Sequence, residues 1–147
     1  MKDHFFIICF GVSCNNLKEC AMNFDKVISG FFFILAMTLN FGFFYGSPTI
    51  LEQHSKYELF GAIVVNLIAT IFKFGDRTQV GSVLLATSLV ADIQLIASAS
   101  LWAFALYGLG EMNTEIVTAI ISLSGGALLA NITSVIIFIG DTLKSKR

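Results

Sequence analysis

The run VGSVLLATSLVADIQLIASASLWAFALYGL, residues 80–109, decides how this chain is read. It holds a single charged side chain, Asp92, with Gln94 two positions further on. An apolar helix needs about 20 residues to cross about 30 Å of hydrocarbon at 1.5 Å per residue. This run exceeds that need, so it is expected to tilt, kink or project from the bilayer. The rest of the chain is of the same kind: of 147 residues, 56% are apolar and 13% charged. A water-soluble domain carries about 25% charged residues. With mean hydropathy +0.81, lipid is the expected solvent for much of the surface. The length suits one domain.

Three further apolar segments cover 27–45, dense in phenylalanine, 58–74 and 115–140. Each is long enough to span, which predicts an all-α, polytopic membrane protein with four transmembrane helices. Helix-end signals agree. Ser55 and Glu58 have the spacing of a capping box before the second segment. Gly75 offers a stop and Thr78 an N-cap for the third, and Asn113 or Thr114 can open the fourth.

Basic residues sort to one side. Lys26, Lys73, Arg77, Lys144, Lys146 and Arg147 flank what would be the cytoplasmic ends, whereas Lys56 stands opposite with Glu52, Glu58, Glu111 and Glu115. The positive-inside rule then puts both termini in the cytoplasm of a cell with an inner membrane. Tyr45, Tyr57 and Tyr107 fall at the outer ends, where amphipathic rings anchor at headgroups.

An ungapped likeness links GAIVVNLIATIFKFGD (61–76) to GALLANITSVIIFIGD (126–141). It predicts a tandem repeat of two helical hairpins, with Asn66 matched to Asn131. Counted from the cytoplasmic ends, these asparagines lie roughly 14 Å deep, Asp92 about 18 Å and Asn40 about 20 Å. An unpaired aspartate at a helix centre costs about 2.5–3.5 kcal/mol on the insertion scale. An interhelical hydrogen bond recovers about 0.6 kcal/mol on average. Asp92 is therefore expected to be protonated, reached by water or paired with a cation, and no lysine or arginine is expected at its depth. One reading is a proton or cation site of Asp92, Gln94, Asn66, Asn131 and Asn40. The other is a protonated aspartic acid acting as polar glue between helices.

Ser122, Gly126, Ala130 and Ser134 recur every fourth residue, a small-residue face for packing within the bundle or between protomers. Phe31, Phe32, Phe33, Phe41, Phe43 and Phe44 read as lipid- or core-facing bulk. His54 reads as a solvated loop histidine. Thr78 to Ser82 resembles a potassium-filter sequence only faintly, lacking its tyrosine and second glycine. No nucleophile–base pair, HExxH or phosphate loop occurs, so neither enzyme activity nor a cofactor or metal is expected. A net charge of −1 argues against a nucleic-acid partner.

Residues 1–21 have two readings: a short signal-like core at 5–12, spoiled by Asp3, or translated leader ahead of a start at Met22. Lys18-Glu19, encodable as a ribosome-binding sequence, favours the second. All three cysteines, Cys9, Cys14 and Cys20, precede Met22. The body of the protein is then 22–147.

From Met22 on, the chain resembles a family of short, uncharacterised bacterial inner-membrane proteins. The resemblance rests on VVNLIATIFKFGDRTQVGSVLLATSLVADIQLIA (64–97) and SLSGGALLANITS (122–134). It implies a multi-span membrane protein of unknown function and no catalytic residues. The residues themselves support a small proton or cation channel or transporter component. The alternative is a non-transporting accessory or assembly subunit of a membrane complex. Expected partners are the lipid bilayer and either a second copy of the chain or a membrane complex.

Overall fold

A computed structural model describes residues 17–47, 50–75 and 77–144. Among these residues every regular element is helical: α1 Leu17–Phe44, α2 Lys56–Lys73, α3 Gln79–Phe104 and α4 Thr114–Lys144. A 3-10 turn, Leu51–Gln53, lies between α1 and α2, and α3 runs on into a π-helical turn, Ala105–Leu109. The apolar stretch 5–12, Cys9, Cys14, Asp76, Lys146 and Arg147 lie outside the described residues. α1 passes through Met22 without a break.

Side-chain caps set the helix starts. Ser55 has extended backbone and its hydroxyl accepts the Tyr57 N–H at 3.3 Å. Thr78 accepts the Gly81 N–H at 3.0 Å ahead of α3. Asn113 Oδ1 accepts the Ile116 N–H at 2.9 Å ahead of α4. Each relieves a donor that the first turn leaves unmet. The π turn ends at Gly110, whose φ of 74° lies in the left-handed region that glycine enters freely.

Each helix packs on its chain neighbours, and α4 closes back on α1. Hydrogen-bonded rungs fix the directions. Thr70 meets Asp92 while Lys73 meets Ser88, so α2 and α3 run antiparallel. Thr87 meets Ser134 while Ser98 donates to the Ile120 carbonyl, so α3 and α4 do likewise. The result is an up-down-up-down bundle with residues 17 and 144 at one end. Tyr45, Tyr57 and Tyr107 stand exposed at the other.

Among the described residues, three helices are long and apolar enough to cross a membrane: Phe24–Phe44, Gln79–Leu109 and Thr114–Lys144, with mean hydropathy 2.0, 1.8 and 1.9. α2 is not one of them, because its 18 residues include Lys56, Glu58 and Lys73.

Size and polarity, more than apolarity, separate inside from outside. The core combines Phe43, Leu59, Leu95 and Ile120 with Ala62, Ala91 and Ala127, and buries Ser98 and Ser124 beside them. Leu67, Ile93, Ile96, Leu129 and Ile136 face outward. Where the surroundings are as apolar as leucine, helices associate through close approach and hydrogen bonds, which small and hydroxylated residues supply. Two adjacent glycines of α4 mark the tightest approaches. A Cβ on Gly125 would stand 2.8 Å from the Phe44 ring, and one on Gly126 would stand 2.6 Å from the Gln94 amide.

The small-residue face is only partly inward. Ser134 is buried, Gly126 and Ala130 are half-buried, and Ser122 is exposed beside Phe41, Phe44 and Tyr45 in an outward groove. Every fourth residue advances about 400°, so such a row drifts about 40° per step and about 120° over three. The inward ridge alternates its spacing instead: Val117, Ile120, Ser124, Ala127, Asn131, Ser134. The phenylalanines divide likewise, with Phe33 and Phe43 buried and Phe31, Phe41 and Phe44 exposed.

His54 is not solvated. It is buried, with Nδ1 2.6 Å from the Phe43 carbonyl and Nε2 3.0 Å from the Ser47 carbonyl, and its ring packs on Phe43. The last carbonyls of a helix have no intrahelical donor, and the imidazole takes up that role for α1.

Candidate functional site

Asp92 lies on the inner face of α3, 5% exposed. Thr70 of α2 donates to its Oδ2 at 2.6 Å, whereas its Oδ1 is buried without a partner. One turn along is a group the sequence places elsewhere. Lys73, in the last turn of α2, is 4% exposed and turns its ammonium into the bundle. The expectation that no cation reaches this depth is therefore overturned. The flexible four-carbon stem of lysine lets the charge sit well away from its own Cα.

Lys73 Nζ donates to Ser88 of α3 and, at 3.1 Å, to Ser134 of α4, and stands 4.1 Å from the centroid of the Phe33 ring of α1. The ammonium thus meets two hydroxyl oxygens and one π face. Asp92 and Lys73 also attract each other electrostatically. Thr87 Oγ1 donates to the Leu84 carbonyl at 2.9 Å and lies 2.6 Å from Ser134 Oγ. Ser134 accepts from Lys73 and shares with Thr87 a hydrogen bond in which either hydroxyl can be the donor. The hydroxyls form a chain leading from the ammonium.

The other residues of the expected layer also turn inward. Asn40, Asn66 and Asn131 are buried, and Gln94 is half-buried against Gly126. Asn40 Oδ1 accepts from Ser124 at 2.7 Å. Each member nonetheless keeps a sheltered atom without a hydrogen-bond partner: Nδ2 of all three asparagines, Asp92 Oδ1 and Gln94 Oε1. Buried polar groups are seldom left so, and five in one small bundle interior are a departure that points to a site.

Lys73, Thr70, Ser88 and Thr87 escaped the sequence reading. A signal for three of them exists in the helical period: Asn66, Thr70 and Lys73 fall at i, i+4 and i+7 on α2. Ser88 and Asp92 repeat the i, i+4 step on α3. Among the described residues no group of three or more His, Cys, Asp and Glu is arranged to hold a metal ion.

A family model covers residues 53–142 of this chain. The chain belongs to DUF6394, a family of unknown function. The DUF6394 match is narrower than the resemblance drawn from the sequence, which reached back almost to Met22. It starts in the loop before α2 and ends near the end of α4. Thr70, Lys73, Ser88, Asp92, Gln94, both Asn66 and Asn131, and Ser134 fall inside it, while Phe33 and Asn40 of α1 lie outside. No curated protein and no solved structure matches the chain.

Proposed function

We propose that the chain is a four-span protein of the bacterial inner membrane, with both termini cytoplasmic. In this reading the Asp92 layer exchanges protons as part of a small channel or transporter component. A crossing by α2 is supported by its outer face, where Phe60, Val64, Leu67 and Ile71 are exposed and apolar. Its charges are confined to its first and last turns. The orientation is supported by Lys26, Arg77 and Lys144 at one end of the bundle and by the three exposed tyrosines at the other. A two-hairpin repeat is favoured by Asn66 and Asn131, both inward on the diagonally placed α2 and α4 and both with Nδ2 unpartnered.

The single observation that carries the transport reading is Asp92 itself. It is an acid inside a bundle, held by Thr70 through one oxygen and open through the other. Ionisable residues at such depth are functional by default. A proton suits the unpartnered set better than a metal ion does. Alkali and alkaline-earth cations take oxygen ligands, whereas three of the five free atoms are amide N–H donors.

The test is proton flux into liposomes holding a pH-sensitive dye, under an imposed potential. Folded Asp92→Asn, checked by size exclusion, is expected to fall about 100-fold below wild type, the scale of a positioned proton-transfer group. Equal flux would leave Asp92 as structural glue. A second reading, an accessory subunit, draws on the outward groove beside Ser122, Phe41 and Phe44. Recovery of a stoichiometric partner in mild detergent would favour it over transport.

A further inference from the structure

The ammonium of Lys73 sits where a free cation would find ligands. Two neutral hydroxyl oxygens and an aromatic face surround it, contributed by three different helices. Asp92 supplies the balancing charge, and Thr70 holds that carboxylate one turn away. Hydroxyl oxygens, a π face and a nearby carboxylate are the partners that a monovalent metal ion accepts as readily as an ammonium does.

We infer that Lys73 is the specificity-determining residue of the Asp92 site: a tethered cation that fills the place of sodium or potassium and leaves the proton as the cation that Asp92 exchanges. The inference rests on the proton reading above and names what enforces it. One observation carries it besides the position of the ammonium: two hydroxyls hydrogen-bond it and the Phe33 ring lies 4.1 Å away, so the group is seated and not passing through. Wild-type protein therefore has no room, in charge or in ligands, for an alkali cation. Lys73→Met keeps most of the stem and removes the ammonium. It leaves Ser88, Ser134 and Phe33 without the cation they surround, and Asp92 without its counter-charge.

The experiment is thermal unfolding of the full chain in mild detergent, in sodium, potassium or choline chloride at equal ionic strength. Wild type is expected to melt at the same temperature in all three salts. Lys73→Met is expected to melt at least about 4 °C higher in sodium or potassium than in choline, the shift a bound ligand in excess produces. Lys73→Gln serves as the second variant where Lys73→Met does not fold. Lys73→Met/Asp92→Asn is expected to lose the difference. Salt-independent melting of whichever single variant folds overturns the inference. So does an alkali-specific shift in wild type, or one retained by the double variant. Rubidium uptake by liposomes adds the transport arm. Proton flux in wild type with no alkali response in the variants sinks this inference alone. An alkali response without wild-type proton flux keeps Lys73 as the tethered occupant and sinks the transport reading.

Discussion

Lys73→Met and Asp92→Asn, made singly, are each expected to cost about 3–5 kcal/mol of stability in choline buffer, and made together much less than their sum. The reasoning concerns what each change leaves behind. Without Lys73, a buried carboxylate keeps one hydrogen bond from Thr70 and loses its counter-charge. Without the Asp92 charge, a buried ammonium retains Ser88, Ser134 and the Phe33 ring but no anion. Either remainder is an uncompensated ion in a low-dielectric interior. The double variant buries none, and methionine and asparagine are close in size to what they replace. Equilibrium unfolding of all four proteins gives the coupling directly. A coupling of at least about 2 kcal/mol is expected. Additive losses would mean that the two charges do not sense each other.

Phe43→Ala is expected to cost about 3–5 kcal/mol, the range for emptying a fully enclosed aromatic site. Phe43 has no exposed surface, and its ring packs on His54 and Trp102 at centroid distances of 5.6 and 6.0 Å. Its carbonyl is also the one that faces His54 Nδ1, so the cavity opens beside the group that closes α1. Phe31→Ala is the control. That ring lies on the same helix, 59% exposed, where detergent or lipid fills the gap, and a loss of no more than about 0.5 kcal/mol is expected. Comparable losses for the two would show that the outward ring, too, is packed against protein.

Helix number and the starts of α2, α3 and α4 were legible because they depend on local chemistry. By contrast, α1 begins at Leu17, ten residues ahead of the apolar segment, and α4 runs on to Lys144. Ser55, Thr78 and Asn113 are short polar side chains that bond to backbone two or three residues away, and sequence spacing suffices to find them. That Asp92, Asn66, Asn131 and Asn40 turn inward was legible for a related reason. A short polar side chain on an apolar helix has nowhere else to be satisfied. Lys73 was legible only in its helical phase with Asn66 and Thr70. Its place at the end of α2 fixes the depth of its Cα, but its stem can lead outward to water or inward to hydroxyls. The deciding partners, Ser88 and Ser134, lie 15 and 61 residues away on other helices. His54 failed for the mirror reason. A loop position suggests water, yet the carbonyls of Phe43 and Ser47 converge on the ring once the helix end folds back. Ser122 failed through geometry: a fourfold spacing is near the helical period without equalling it. The crossing of α2 depends on where its terminal charges go, and one of them, Lys73, goes inside.

The separation of 61 positions between Lys73 and Ser134 also orders the events of biosynthesis. A ribosome delivers the lysine early and the last hydroxyl that receives it late. Until α4 emerges, the growing chain can offer that ammonium Ser88 of α3 and the ring of Phe33, but no second oxygen partner. Arrival of the final helix is thus the step that completes the coordination. A chain cut short before that step leaves the ammonium without its Ser134 partner.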